Sequence, residues 1–170
     1  MVPTLTFGLL VVFVVLRHDR RELLHLNVTD HPTADWTARQ ILQTFPEATA
    51  PRYLLRDRDA IYGERVARCL ANMGIRELII APRTPWQNAF AERVIGSIRR
   101  EGLDHVLILN EAHLRRLLHG YIAYYNTARP HQSVANNSPQ PRMVEPPPRG
   151  RIIAAMPQVG GLHHLYQRVA

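Results

Sequence analysis

Asp57 and Glu92 are the residues whose types and positions could do chemistry together. Asp57 lies just past the strand-like run Tyr53-Leu54-Leu55. Glu92 falls in the second turn of a helix that Thr84 and Pro85 are expected to open, and 35 positions separate the two acids. The helix and strand between them can bring the chain back beside itself. Two carboxylates meeting at a strand end and a helix repel one another unless a cation sits between them, which is the arrangement that holds magnesium for phosphoryl transfer. A plainer reading stands beside it, with Asp57 capping a loop beside Arg56 and Arg58, and Glu92 solvated and paired with Arg93. Along the same helix Asn88, Glu92, Gly96 and Arg99 fall at i, i+4, i+8 and i+11, a polar stripe flanked by Arg93 and Arg100. Gly96 would let a backbone approach closely, and arginines grip phosphates in a bidentate way, so the stripe reads as a DNA-facing surface or as an exposed helix with scattered arginine.

Those residues need elements to hold them. The run Phe7–Leu16 predicts a buried strand, the turn His18-Asp19-Arg20-Arg21 follows, and Leu23–Val28 predicts its antiparallel partner. Ala38, Ile41, Leu42 and Phe45 then repeat at helical spacing up to Pro46. After the strand at 53–55 comes a helix with Val66, Cys69, Leu70 and Met73 on one face, closed by Gly74, and a strand at Leu78-Ile79-Ile80. Thr84 as N-cap and Pro85 at the first helical position open the next helix, with Ala91, Val94, Ile95 and Ile98 as its buried stripe. A last helix enters at Asn110 and buries Leu114, Leu117, Leu118, Tyr121, Ile122 and Tyr125. This is an α/β order: a hairpin first, then strand and helix in alternation, where ligands gather at the carboxyl ends of strands.

Length and composition suit this reading. The 170 residues are 46% hydrophobic and 21% charged, enough for one domain with a core. The net charge of +7 comes from 21 arginines and no lysine against 14 acids, and most of the excess lies beyond residue 80. Polyanions are the expected partners. The single cysteine, Cys69, forms no internal disulfide or thiolate zinc site, which favours a reducing, cytoplasmic setting. Phe7–Leu16 is about half the roughly 20 residues of a membrane span, so no membrane association is expected. His163 and His164 lack ligand spacing.

Four strings in order resemble one family: Leu54–Tyr62 (Leu-Leu-Arg-Asp-Arg-Asp-Ala-Ile-Tyr), Ala81–Glu92 (Ala-Pro-Arg-Thr-Pro-Trp-Gln-Asn-Ala-Phe-Ala-Glu), Arg99-Arg100-Glu101, and Tyr125-Asn126 with Arg129-Pro130-His131. They resemble the integrase core of insertion-sequence transposases and retroviral-type integrases, the DDE recombinases, over about residues 2–145. The resemblance implies an RNase H-like three-layer fold with a mixed sheet. It matches Asp57 to the family's second acid, although Asp59 stands where glycine is frequent, and Glu92 to the third. In the complete enzyme it implies two Mg²⁺ (or Mn²⁺) ions on three carboxylates, one activating a water or a DNA 3′-hydroxyl and the other stabilising the leaving 3′-oxygen. It places Arg83, Asn88, Arg93, Arg99 and Arg100 against DNA.

One departure qualifies the match. The family's first Asp lies on the first strand, yet residues 1–16 contain no acid, and Asp19 and Asp30 come too late. The expectation is an incomplete first strand, an exposed sheet edge and little or no strand transfer by this polypeptide alone. Three readings stay open: a transposase or integrase core completed by an upstream segment; a non-catalytic remnant that binds DNA, a homo-oligomer or a full-length transposase through Arg83, Arg93, Arg99, Arg100, Arg115 and Arg116; and an unrelated basic α/β domain. The expected organisation is a core over 1–135, a Pro-rich linker over 136–150, and a tail over 151–170 able to form a β-hairpin.

Overall fold

A computed structural model of the chain describes residues 1–46, 49–142 and 152–169. It is a mixed α/β structure with antiparallel and parallel strand pairs and, among the described residues, four α-helices. Strands β1 (Val2–Pro3), β2 (Leu9–Arg17) and β3 (Glu22–Thr29) form an antiparallel sheet in that order, with Val12 opposite Val28 and Val14 opposite Leu26. Strand β4 (Tyr53–Arg56) pairs in parallel with β5 (Arg76–Ile79), Leu55 opposite Leu78. Helix α1 (Ala34–Thr44) starts where the Thr33 hydroxyl accepts the Trp36 N–H at 3.2 Å. Helix α2 (Glu64–Asn72) ends before Gly74, whose φ of +71° is the left-handed conformation that glycine adopts without strain. Helices α3 (Ala89–Glu101) and α4 (Glu111–Thr127) complete the set, and the Asn110 side chain caps α4 by accepting the His113 N–H at 2.9 Å.

The alternation of β2 assigns its residues to two cores. Phe13 and Val15 join Ala38, Ile41, Val66 and Leu70 beneath α1 and α2. Val12, Val14 and Leu16 turn the other way, onto a cluster with Val94, Ile98, Leu114, Leu118 and Tyr121 of α3 and α4. The hairpin sheet is therefore covered by helices on both faces. Leu114, Leu118 and Tyr121 are at most 1% exposed, and each buried leucine of this kind stabilises the fold by about 1.5–3 kcal/mol.

Several sequence expectations shift. The first long strand runs Leu9–Arg17; Phe7 is 95% exposed in a turn at φ +62°, because the chain must reverse there to pair β1 with β2. Leu42 and Ile95, assigned to buried stripes, are about half exposed at 51% and 48%, since each lies at the border of its helix face. Thr84 does not cap α3. Its hydroxyl donates to the Ala81 carbonyl at 2.6 Å instead, and Pro85–Asn88 forms a 3₁₀ turn, so the α-helix begins four residues later and Glu92 falls in its first turn.

Beyond residue 142 the Pro-rich expectation over 143–150 lies outside the described residues. Strands β6 (Ile152–Gln158) and β7 (His163–Val169) form an antiparallel hairpin. It packs on α4: the His163 ring stacks on Tyr124 with centroids 4.7 Å apart, and its Nε2 hydrogen-bonds the Glu101 carbonyl at 2.9 Å. No helix among the described residues is long and apolar enough to cross a membrane.

Candidate functional site

The edges of β2 and β4 that are not paired in their own sheets line one cleft of about 690 Å³. Consecutive residues of each strand, 13–17 and 53–56, reach it. A strand's face presents every second residue, so an unbroken run means that the strands meet the cleft edge on. Asp57, immediately after β4, stands on this cleft together with Asn88 and Ala91 at the start of α3. Glu92 follows Ala91, is exposed, and is not itself on the cleft wall.

Asp57 sits at the carboxyl end of a parallel strand, where loops leave the sheet and ligands collect. One of its oxygens accepts the Asp59 N–H at 3.2 Å, so the loop-cap reading describes part of its role. Among the described residues neither Asp57 nor Glu92 forms an ion pair, and Glu92 does not bridge to Arg93. The neighbouring arginines are engaged elsewhere. Arg56 pairs with Glu77 at 3.1 Å across the parallel ladder, and Arg58 Nε donates to the Ile80 carbonyl at 3.1 Å. Arg56 Nε and Glu77 Oε1 are buried without a hydrogen-bond partner, so this pair is left under-satisfied at the cleft wall.

Oxygen donors suited to a hard divalent cation are thus present and not neutralised, but at two positions. Among the described residues no group of three or more His, Cys, Asp or Glu side chains could hold a metal ion. Asp57 is the one carboxylate on the cleft wall, and Glu92 lies one residue beyond the wall residue Ala91.

The other expected contacts divide. Arg93 is exposed and makes no ion pair among the described residues, and Arg83 is exposed in the loop before α3 with φ +59°. Arg99 pairs with Asp104 at 3.3 Å on the surface. Over Gly96 the exposed Arg100 guanidinium folds back, so that a Cβ placed there would lie 3.0 Å from Arg100 Nη1, the far end of a flexible side chain. Arg115 is not free for a polyanion, since it bridges Glu111 and the Val28 carbonyl.

The string Tyr125-Asn126 with Arg129-Pro130-His131 has an architectural job. Asn126 exchanges two hydrogen bonds with Leu23, its Nδ2 donating to the carbonyl at 2.8 Å and its Oδ1 accepting the N–H at 2.9 Å. Arg129 grips Glu101 with both arms, at 2.8 and 2.6 Å, and the Tyr121 hydroxyl donates to the same carboxylate at 3.0 Å. Burial alone would raise the Glu101 pKa; the hydrogen bonds and charge of Arg129 and the Tyr121 hydroxyl outweigh it and hold the carboxyl below its ordinary range.

Residues 73–139 match the integrase core domain. This integrase core stretch takes in β5, α3 and α4, and with them Asn88, Glu92, Glu101, Asn126, Arg129 and His131. It bears out the family resemblance carried by the strings at 81–92, 99–101 and 125–131. Asp57 and the β2–β3 hairpin lie outside the matched stretch. No curated protein matches the chain.

Proposed function

We propose that the chain is the catalytic-core portion of a DDE-type DNA recombinase with an RNase H-like fold, in which Asp57 and Glu92 present oxygens to a shared Mg²⁺ or Mn²⁺ during strand transfer at phosphodiesters. The observation that carries this is the convergence of Asp57, at the end of a parallel strand, with the opening of α3 on one cleft, α3 lying inside the integrase core match. A bound divalent ion would supply positive charge against the phosphodiester oxygens. Asp57 and Glu92 orient it, Asn88 adds a polar contact at the cleft, and Arg93, Arg99 and Arg83 offer guanidinium groups to the DNA backbone.

A second reading has its own support. Among the described residues no three His, Cys, Asp or Glu side chains come together as metal ligands, where the family resemblance implies three carboxylates, and residues 1–16 contain no acid. By itself, then, this polypeptide acts mainly as a DNA-binding component, and catalysis awaits an acid from another segment or chain. Incubation with Mn²⁺ and end-labelled duplex DNA separates the two. The chain is expected to bind the duplex more tightly with Mn²⁺ than with a chelator, an increment lost in Glu92→Gln, while strand transfer stays at background. Robust Glu92-dependent nicking would show that two carboxylates suffice; affinity indifferent to both the metal and Glu92 would remove the proposed role of the site.

A further inference from the structure

Helix α3 borders a second concavity. Asn88 and Ala91 face the cleft, whereas Phe90, Arg93 and Val94 line a separate pocket of about 300 Å³. Its far walls are Arg21, from the β2–β3 turn, and the loop after α4 from Arg129 to Ser133. The two sites share a partition: His18 lies on the cleft and packs edge-on against Phe90, ring centroids 5.2 Å apart.

The charges of this pocket can be assigned one by one. Arg129 is saturated by Glu101. His131 is buried, with Nε2 on the Tyr125 carbonyl at 3.4 Å and Nδ1 3.2 Å from Arg129 Nη1, and burial first, then the Arg129 charge, lower its pKa and keep it neutral. Burial, and then the charge of Arg21, likewise lower the pKa of His18. Arg21 and Arg93 remain. Neither forms an ion pair among the described residues, and no carboxylate lines the pocket. Two positive charges therefore face a concave, partly apolar space with no counter-charge built in.

Arg21 is also held in place. Its guanidinium lies 3.4 Å from the centroid of the Phe90 ring and donates to the His18 carbonyl. Its backbone has φ +61°, a left-handed conformation that is strained for a non-glycine residue and persists where its surroundings fix it. A stacked, fixed guanidinium has little rotamer freedom left to lose on binding, and its planar donors suit a tetrahedral oxyanion.

We propose that Arg21 and Arg93 form a phosphate clamp that grips a backbone phosphate of the DNA strand next to the phosphodiester held at the cleft. The clamp rests on the DNA reading above, because the shared His18 and Phe90 wall would place both phosphates on one strand. Fluorescence anisotropy of a labelled duplex over a salt series tests it, using the full chain. Relative to wild type, Arg21→Ala/Arg93→Ala is expected to lower the slope of log K against log salt by about 1, for the one phosphate that the two guanidinium groups neutralise together. Arg39→Ala/Arg68→Ala removes two charges beside α1 and α2, on a different pocket, and is expected to change the slope much less. Thermal melts report folding, and if the double variant does not fold, Arg93→Ala alone, at an exposed position, is expected to lower the slope by up to about 1. Equal slopes in the clamp variants and wild type, or an equal drop in the Arg39/Arg68 control, would overturn the clamp and leave DNA binding intact. A wild-type chain without salt-dependent duplex binding would remove the DNA reading itself.

Discussion

Asn126→Ala is expected to destabilise the fold by about 3 kcal/mol, because it strips partners from two buried backbone groups at once, each worth roughly 1–3 kcal/mol when left unsatisfied. Leu23 sits on β3, the edge strand of its sheet, and the N–H and carbonyl that turn away from β2 are met by the Asn126 amide and no neighbouring strand. The side chain acts as a one-residue extension of the ladder, carried on a helix. Alanine cannot replace either bond, and Asn126→Asp keeps an acceptor for the N–H but places a carboxylate against the Leu23 carbonyl. Urea unfolding should report the loss as a lower midpoint with an unchanged slope, and thermal unfolding as a fall of roughly 10 °C for a domain of this size. A variant within about 0.5 kcal/mol of wild type would mean that water or a shifted backbone satisfies Leu23, and that Asn126 has another purpose.

Arg129→Ala is the next largest effect, about 2–3 kcal/mol. Losing one partner of a fully buried pair costs about 3–5 kcal/mol; Arg129 and Glu101 retain 23% and 21% side-chain exposure, which lowers the figure. The damage comes from the carboxylate left behind, facing a fully buried Tyr121. Arg129→Met/Glu101→Leu should therefore recover most of the loss, and a double variant as unstable as the single would contradict this.

The same pair sets an acid sensitivity. Glu101 and His131 both have folded pKa values below their ordinary ones, so each contributes stability that is complete above its unfolded pKa. As pH falls below about 6.5 the unfolded chain takes up a proton at His131 before the folded one does, and below about 4.3 the same happens at Glu101. Wild-type stability should decline in both windows. In Arg129→Ala the lower window should shrink or reverse, because burial, which raises the Glu101 pKa, is no longer opposed by the guanidinium. An unchanged pH profile in the variant would show that Arg129 does not control Glu101.

Much of this arrangement was legible in the sequence. Apolar runs and helical spacing located β2, β3 and the four helices, since the pattern that buries Val66 and Leu70, or Leu114, Leu118 and Tyr121, is the pattern that defines the element. Boundaries failed where local chemistry had two outlets. The Thr84 hydroxyl could cap a helix or close a turn on Ala81, and tertiary packing chose the turn. At the site, the strings named Asp57, Asn88 and Glu92, but not the cleft, which arises because strand edges distant in sequence fail to pair. Of the clamp residues, Arg93 was named with the arginines of α3, whereas Arg21 carried no signal. Arg21 belongs to a polar turn, and only the fold brings it onto Phe90 beside Arg93. Asn126 and Arg129 were visible as a motif, but their function is a set of hydrogen bonds to Leu23 and Glu101, and spacing along one helix does not identify partners on another element.

In the proposed site Asp57 and Glu92 serve one divalent cation. Titration of the chain with Mn²⁺, followed by loss of the free-ion electron paramagnetic resonance signal, tests it without DNA or turnover. Asp57→Asn and Glu92→Gln are each expected to weaken binding at least about tenfold, or 1.4 kcal/mol, and the double variant no further, since either change dismantles the same site. Small, additive effects of the two substitutions, or Mn²⁺ binding indifferent to both, would contradict the account.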